Sequence, residues 1–502
     1  MHIRTYMAVF AVPVAILLVL AGCDDPTAFR GRSDAPALQS ERPPAGRTGE
    51  RFVVLAGPGA ARRIEQAGFA VQHTLADDTL LIVGGSPERR DELEELGGVQ
   101  HVVQDFEIRL DELRLQGFTA DVAPETAQGA GGAPALWDFQ WEKRMMDIPQ
   151  AHQIATGAGT TIAIVDTGIQ PGHPDLGNLN TDKSVAFING ERIDAGEPID
   201  VFGHGTMVAG IAAAQGHGVV GTAPDAELVS IRVFSADGVA TFADVMLALH
   251  YAADIGSDVV NLSIGTAPIP AHENAGGIRA IRERIANHVV SRGTVITAAA
   301  GNSNANLQHG GWFMFYTSMA GTIGASATGA DDLLTFYSNY GTNAIDVAAP
   351  GGGMADPVDS YCGSKEFFLE GRIAEPGEET EVCFFDPDAV FPIPVYDPDF
   401  ISVCVPCTTP ELPFPLNGII STAFNPFTGE HGYAFEGGTS FAAPHVAGLV
   451  ALVRELEPDM NPRRVADTIA HGAEGTAGRS DADLGAGRVN ALNTVLRRTG
   501  NN

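Results

Sequence analysis

The segment Gly437-Gly-Thr-Ser-Phe-Ala-Ala-Pro-His-Val-Ala-Gly448 joins a glycine-rich turn to small and apolar residues that predict a helix. Ser440 stands at the start of that helix, where its hydroxyl oxygen feels the positive end of the helix dipole. Free backbone N–H groups of a first helical turn can bind a developing oxyanion. A serine in this position can also be an ordinary N-cap, but the length of the motif favours a nucleophile.

Two earlier segments supply a base and an acid that orients it, the other groups that nucleophilic hydrolysis needs. Ala163-Ile-Val-Asp-Thr-Gly-Ile169 ends an apolar run at Asp166. A carboxylate there is costly unless it is paired, and its alternative role is to cap a turn. Phe202-Gly-His-Gly-Thr-Met-Val-Ala-Gly210 places His204 between two glycines, which leave room for a substrate and allow a sharp bend.

Short apolar runs alternate with helical patterns through residues 137–497. The predicted strands are Thr161–Val165, Leu228–Val233, Asp258–Leu262 and Thr294–Ala298. The predicted helices are Met207–Ala214, Phe242–Ile255 and Gly277–Arg292. This alternation predicts an α/β domain with a mainly parallel sheet, whose functional side chains lie at the carboxyl ends of its strands.

A smaller α+β domain is predicted for residues 51–110, with strands and helices in the order β-α-β-α-β. Its predicted elements are Phe52–Leu55, Ala60–Gln66, Thr79–Val83, Pro87–Leu96 and Val99–Val103. Residues 23–50 and 111–136 are rich in polar residues, glycine and proline, which is typical of a flexible tether and a linker.

The first 22 residues have the features of a targeting signal. The apolar run from Met7 to Leu20 is too short to span a bilayer comfortably, and no later segment is long and apolar enough to do so. Leu20-Ala-Gly-Cys23 resembles the lipobox of bacterial lipoproteins, which implies lipidation of Cys23. An ordinary secretory signal is the alternative, and both predict a protein outside the cytoplasm.

The other four cysteines occur together in residues 354–415, a proline- and aspartate-rich segment that we interpret as an insertion. They are Cys362, Cys383, Cys404 and Cys407. In an oxidising compartment such a set predicts two disulfides, with three possible pairings. A zinc site is the alternative, because Cys404-Val-Pro-Cys407 has ligand-like spacing.

The net charge of the 502-residue chain is −32. Such a surface repels phosphate backbones, which argues against a nucleic-acid partner. Acidity of this size more commonly serves solubility or salt tolerance.

The blocks around Asp166, His204 and Ser440 resemble, in content and order, the three signature blocks of the subtilase family of serine proteases (peptidase S8 type). The resemblance extends from about Trp137 to Leu496, apart from the insertion. It implies a three-layer subtilisin-like domain. It also implies a serine endopeptidase that hydrolyses peptides or proteins through an Asp-His-Ser triad and an acyl-enzyme.

Three further segments resemble binding elements of that family. Thr297-Ala-Ala-Ala-Gly-Asn302 implies that Asn302 is an oxyanion donor. Asn261-Leu-Ser-Ile-Gly265 implies that Ser263, Ile264 and Gly265 line the first specificity pocket. Gly301 is expected to be a further wall residue, and the small walls suggest broad specificity with an apolar or bulky P1 side chain. Gly238, Val239 and Ala240 resemble the edge strand that pairs with substrate backbone.

The small N-terminal domain resembles the inhibitory propeptide of many subtilisins. We expect self-processing between about Leu115 and Phe139, which would release the enzyme from a lipid anchor on Cys23 unless the cleaved domain stays bound. An unrelated binding domain is the alternative.

No cofactor is expected for catalysis. Many subtilisins hold calcium in a loop after the histidine helix, but here Ala214–Gly221 is short and has no acidic ligand. Asp175 matches one calcium ligand of the family but is expected to close a turn. The sequence leaves open whether calcium binds elsewhere in the chain. The rival interpretations are a non-catalytic lipoprotein that uses a protease-like fold for binding, and an acyl-transfer enzyme. The presence of all three triad residues and Asn302 argues against the non-catalytic alternative. Product analysis would separate acyl transfer from hydrolysis.

Overall fold

The computed structural model describes residues 50–109, 119–120, 134–194, 199–265, 269–270, 275–308, 312–341, 344–353, 380–385, 402–407, 418–424, 429–476 and 484–499. The predicted signal peptide and, except for Glu50, the tether lie outside the described residues. So do Cys23, Cys362 and most of the linker and the insertion. Among the described residues, no helix combines the length and apolar character needed to cross a membrane.

The N-terminal domain is a four-stranded antiparallel sheet covered by two helices. Its elements are β1 (Arg51–Ala56), α1 (Ala60–Gln66), β2 (Ala70–Leu75), β3 (Leu80–Gly84), α2 (Arg90–Glu94) and β4 (Val99–Gln104), with a 3-10 turn at Pro87–Arg89. The strand order is β2-β3-β1-β4. Strand β2 was not predicted, because it is an edge strand with alternating exposure and polar side chains such as Gln72 and His73.

The two central strands of this small sheet, β1 and β3, are buried on both faces. Phe52 and Val54 of β1 pack into the domain's own core with Ile64 of α1. Val53 and Leu55 point the other way and pack against apolar side chains of the larger domain. This explains why β1 is a continuous apolar run in an antiparallel sheet, where a solvated face would have produced alternation. Each fully buried aliphatic side chain contributes about 1.5–3 kcal/mol.

The larger domain is built on an eight-stranded sheet. Its strands are β7 (Thr161–Asp166), β8 (Val185–Ile188), β9 (Glu191–Ile193), β10 (Glu227–Arg232), β12 (Val259–Leu262), β14 (Val295–Ala299), β16 (Thr322–Thr328) and β17 (Val347–Pro350). The strand order is β17-β16-β14-β12-β7-β10-β8-β9. Every pairing is parallel except that of β8 with β9.

Helices cover both faces of this sheet. The principal helices are α5 (His204–Ala213), α6 (Phe242–Asp254), α7 (Ala275–Ser291) and α8 (Thr439–Leu456). Ile162 and Ile164 of β7 pack on the side of α5 and α8. Ala163 and Val165 pack on the side of α6 and α7. The prediction of an α/β fold with a mainly parallel sheet is confirmed.

Shorter elements complete the chain. The remaining helices are α3 (Trp141–Met145), α4 (Ile148–Ala151), α9 (Pro462–Gly472) and α10 (Ala491–Thr499), with 3-10 turns at Trp137–Phe139 and Pro174–Leu176. The remaining strands are β5 (Glu107–Arg109), β6 (Thr119–Ala120), β11 (Val239–Thr241), β13 (Ile269–Pro270), β15 (Trp312–Phe313), β18 (Thr380–Phe385), β19 (Ser402–Cys407), β20 (Ile419–Phe424) and β21 (His431–Glu436).

Strands β18 and β19 lie in the predicted insertion and form an antiparallel pair. In their register Cys383 is directly opposite Cys404. Directly opposed residues of an antiparallel pair have Cα separations that a disulfide can span. Disulfide formation itself stays a prediction.

Candidate active site

Asp166 and His204 meet at the carboxyl end of β7. Asp166 is the last residue of that strand and is 0% exposed. Its Oδ1 lies 2.7 Å from Nδ1 of His204 and also accepts a 2.7 Å hydrogen bond from the backbone N–H of Thr167. A buried carboxylate is costly unless it is paired, and these two bonds pair Oδ1, whereas Oδ2 has no hydrogen-bond partner among the described residues. The same contact favours the imidazole tautomer with its proton on Nδ1.

The two glycines around His204 serve the backbone. Gly203 has φ 96°, a conformation that favours glycine, and it turns the chain into α5. A Cβ on Gly205 would lie 2.1 Å from the carbonyl oxygen of Gly168 and 3.1 Å from Cβ of Asp166. Gly205 is therefore required for close packing of α5 against the Asp166 strand, a different reason from the space for substrate that the sequence suggested.

Asp200 organises the loop before His204 and was missed in the sequence. Its Oδ1 accepts hydrogen bonds from Thr167 Oγ1 at 2.7 Å, Phe202 N at 2.9 Å and Gly203 N at 2.8 Å. Its Oδ2 accepts from N and Oγ1 of Thr206 at 2.8 and 2.6 Å. Asp200 thus ties the residues on both sides of His204 to the residue after Asp166. In the sequence, only its position four residues before His204 could have indicated that Asp200 supports the site.

Ser440 is the second residue of α8 and is 8% exposed. The N-cap of this helix is Gly438, so the interpretation of Ser440 as an ordinary N-cap is wrong. Its Oγ lies 3.2 Å from the carbonyl oxygen of Ser263. The ring of the next residue, Phe441, has its centroid 5.5 Å from that of His204, so the start of α8 and the imidazole are neighbours.

A hydrogen-bonded chain of side chains fixes the backbone at Ser440. Ser263 Oγ donates to the Ser440 carbonyl oxygen at 2.6 Å and accepts from Asn261 Nδ2 at 2.8 Å. Asn261 Oδ1 accepts from Thr297 Oγ1 at 3.0 Å. The side chain of Ser263 therefore supports α8, in addition to its predicted place in the pocket wall beside Ile264 and Gly265.

Thr439 holds the side chain of Asn302. Asn302 Oδ1 accepts hydrogen bonds from N and Oγ1 of Thr439, both at 2.9 Å. Thr439 Oγ1 also accepts from the backbone N–H of Gly301 at 3.0 Å. These two bonds to one amide oxygen fix the orientation of the Asn302 side chain. Thr439 was not recognised in the sequence as a supporting residue.

The predicted substrate strand is already paired. Residues Val239–Thr241 form β11, which pairs antiparallel with β5 of the N-terminal segment. Ile108 is opposite Ala240, and both are buried in the cluster that contains Ile264. Backbone of the N-terminal segment thus occupies the edge at which Gly238, Val239 and Ala240 were expected to meet a substrate.

Asp105 and Arg51 link the N-terminal domain to the start of α6. They form a buried ion pair, with Arg51 Nη2 2.6 Å from Asp105 Oδ2. Asp105 Oδ1 accepts from the backbone N–H of Ala243 at 2.9 Å, and Arg51 donates to Thr241 Oγ1 at 3.3 Å and to the carbonyl oxygen of Asn189. Burial raises the pKa of Asp105, although Arg51 opposes the shift.

Asp175 closes the loop that follows α5. Its Oδ1 accepts from the backbone N–H of His217 at 2.5 Å. Its Oδ2 accepts from Gly218 N at 2.8 Å, Val219 N at 3.1 Å and the Tyr433 hydroxyl at 2.7 Å. Both oxygens therefore have protein donors, which agrees with the turn-closing role expected from the sequence.

Comparisons with known proteins give the family of the chain. The family model described as the subtilase family (peptidase S8) matches residues 157–490. Thermitase from Thermoactinomyces vulgaris is 37% identical over 224 residues, which is 43% of this chain and 72% of thermitase. A protein named extracellular protease from Xanthomonas campestris pv. campestris is 28% identical over 393 residues, 71% of this chain and 54% of that protein.

Among solved structures, the epidermin leader peptide processing serine protease of Staphylococcus aureus superposes with a TM-score of 0.66 at 19% identity. The superposition covers 89% of this chain and 98% of that one, and at this identity it supports the fold alone. The family match over most of the larger domain identifies the chain as a member of the subtilase family of serine peptidases.

Proposed function

We propose that this chain is a secreted serine endopeptidase that uses Asp166, His204 and Ser440 as its catalytic triad. The contact between Asp166 Oδ1 and His204 Nδ1 carries the proposal, because a fully buried carboxylate 2.7 Å from an imidazole orients a general base. The neighbouring start of α8, with Ser440 in its first turn, supplies the hydroxyl that such a base activates.

In the proposed mechanism, His204 removes the proton of Ser440 Oγ as that oxygen attacks the scissile carbonyl. Asp166 holds the imidazole in place and stabilises the imidazolium. The amide of Asn302 and the backbone N–H of Ser440 donate to the oxyanion. The leaving amine takes its proton from His204, and water then hydrolyses the acyl-enzyme by the reverse sequence of proton transfers.

The N-terminal domain is the proposed intramolecular inhibitor. Two observations support this role: β5 pairs with the substrate strand β11, and Asp105 bonds to the start of the helix that follows β11. Main-chain pairing of this kind gives affinity with little demand on sequence. Self-processing would cut the chain after this domain, between about Leu115 and Phe139.

The proposed location is outside the cytoplasm, with the precursor anchored through a lipid on Cys23 of the lipobox-like segment. Cleavage after the N-terminal domain would separate the catalytic domain from that anchor. Peptide and protein substrates, and the inhibitory N-terminal domain, are the proposed partners.

The test compares the wild-type chain with Ser440→Ala for casein hydrolysis and for intact mass, with Ser318→Ala as the matched control. We expect wild type and Ser318→Ala to hydrolyse casein and to be processed. Ser440→Ala should do neither. Processing and full hydrolysis in Ser440→Ala would contradict the triad, whereas an active but unprocessed wild-type chain would contradict only the self-processing step.

A further inference from the structure

Helices α6 and α7 bring together three side chains that can bind a metal ion, away from the triad. His250 and Asp254 are four residues apart on α6, and His288 projects from α7. Each residue offers one ligand atom, and these atoms all lie within 4.8 Å of one another. His250 Nδ1 is 3.1 Å from His288 Nε2, and His250 Nε2 is 3.2 Å from Asp254 Oδ2.

The spacing of the two imidazoles fits a shared ion. Zinc binds histidine nitrogen at about 2.0–2.1 Å, and two ligands at the tetrahedral angle are then roughly 3.3 Å apart. The nitrogens of His250 and His288 therefore need to separate by only a few tenths of an ångström. Residues four apart on a helix lie on one face, so Asp254 can approach the same ion by a rotamer change.

The ligand set defines the class of metal. Two imidazoles and one carboxylate leave a fourth position of a tetrahedral ion open to water or to another side chain. Imidazole ligands suit zinc, copper, nickel and related ions, whereas calcium and magnesium require mostly oxygen ligands. The set therefore predicts a divalent transition metal, for which zinc is the reference ion.

The N-terminal domain supplies the group that a metal-bound histidine requires on its other nitrogen. His288 has a side chain that is 0% exposed, and Oδ2 of Asp77 lies 3.5 Å from its Nδ1. Within the described residues, no acceptor is in hydrogen-bond geometry with that nitrogen. Metal on Nε2 forces the proton onto Nδ1, and a nearby carboxylate then orients the ring and strengthens the ligand.

The cations near this cluster are arginines. Arg292 is 3.5 Å from Asp77 and 3.9 Å from Asp254, and its side chain is half exposed. Arg284 is 3.5 Å from Asp77 and also donates to the hydroxyl of Thr79. Arg292 can turn into solvent when a metal binds, because both carboxylates with which its guanidinium forms these ion pairs are exposed.

We propose that His250, Asp254 and His288 form a site for a divalent transition metal, and that Asp77 of the N-terminal domain positions His288 in it. The site lies between the two domains, so metal binding and domain docking are thermodynamically linked. If the docked N-terminal domain raises the affinity for the ion by some factor, the bound ion must raise the affinity of the two domains for each other by the same factor.

The test measures cobalt binding to the full-length Ser440→Ala chain, in which the proposed self-cleavage cannot remove Asp77. Equilibrium dialysis gives the stoichiometry, and visible absorption reports four-coordinate cobalt. We expect the stoichiometry to fall by one ion per chain in His250→Ala and in His288→Ala. It should be unchanged in His471→Ala, an exposed histidine on α9. A loss of one bound cobalt ion in these variants distinguishes this site from cobalt bound by the cysteines, which the histidine substitutions leave in place.

Two further variants test the supporting residues. We expect Asp77→Asn to keep the ion but to weaken its binding about 10–100-fold. Arg292→Ala should tighten binding, because it removes a neighbouring positive charge. A stoichiometry that is the same in wild type, His250→Ala and His288→Ala would overturn the site. An unchanged affinity in Asp77→Asn would overturn the role of the N-terminal domain. Thermal midpoints without metal check that each variant is folded.

Discussion

The carboxylate of Asp105 accepts a hydrogen bond over 2.9 Å from the backbone N–H of Ala243, in the first turn of α6. A residue of the N-terminal domain thus satisfies an N–H of the first turn of the helix that directly follows β11, the predicted substrate strand. The other carboxylate oxygen of Asp105 pairs with Arg51, whose guanidinium reaches Thr241 on that strand. The domain is therefore fastened by polar contacts at the same edge that it covers.

Asp105→Ala should loosen this attachment. The change leaves the Arg51 guanidinium buried without its partner, and breaking one side of a buried pair typically costs about 3–5 kcal/mol. In the Ser440→Ala chain we expect faster cleavage of the N-terminal domain by added trypsin and less hydrogen-exchange protection at β5. The matched control is Glu92→Ala, which removes the exposed partner of Arg89 in the same domain and should change little. Equal protection in both variants would refute the role of Asp105.

Asp200→Asn should lower turnover without weakening substrate binding. Asparagine cannot accept all five hydrogen bonds that Asp200 receives, so the loop before His204 loses its fixed position. Misplacement of a catalytic group by about 1 Å can reduce the rate about 10²-fold. Steady-state kinetics on a peptide substrate should give a lower kcat with KM nearly unchanged, while exposed Asp182→Asn serves as control. A wild-type kcat in Asp200→Asn would contradict this function.

Thr439→Val should act through Asn302. Asn302→Ala removes a proposed oxyanion donor. In subtilisin, loss of such a donor lowers kcat about 10²–10³-fold. Thr439→Val removes one of the two bonds that orient the amide, so we expect a smaller loss of about tenfold in kcat. The double variant should be no slower than Asn302→Ala alone. Fully additive losses would show that the two residues act independently.

The fold was largely predictable because a parallel sheet covered on both faces has a simple sequence pattern. Strands β7, β10, β12 and β14 are short apolar runs, and each was predicted to within one or two residues. Strand β2 was missed because one of its faces is solvated. The continuous burial of β1 became clear only from its second partner, the larger domain.

The three triad candidates could be recognised because glycine-flanked motifs surround them. The residues that support them have no such mark. Asp200 acts through hydrogen bonds that form only in the folded loop. Thr439 acts through a hydrogen bond to Asn302, which is 137 positions away in the sequence. The His250 and His288 pair likewise depends on how α6 and α7 pack, since 38 residues separate the two histidines.

His445→Asn should make the protein less sensitive to acid. His445 lies in α8 and is completely buried, which lowers the pKa of its imidazole well below the usual value; the ammonium of Lys143, 3.2 Å from Nδ1, lowers it further. The unfolded chain therefore binds a proton below about pH 6.5 that the folded chain does not. Stability is lost as pH falls from there, by about 1.4 kcal/mol per pH unit for this group.

Thermal midpoints of the Ser440→Ala chain between about pH 4.5 and 6.5 measure this effect. We expect a flatter pH dependence in His445→Asn than in the parent, and no change of slope in His471→Asn, whose imidazole is exposed. Identical slopes in the parent and His445→Asn would contradict the assignment.

The most direct test of the proposed triad is labelling with a fluorophosphonate, which reacts with an activated serine hydroxyl, followed by peptide mass mapping. We predict a single adduct on Ser440 in the wild-type protein and no adduct in Ser440→Ala. In His204→Ala the labelling rate should fall at least about 10³-fold, since the base that activates the hydroxyl is lost. An adduct on another serine, or labelling of Ser440 at an undiminished rate in His204→Ala, would contradict the proposed catalytic triad.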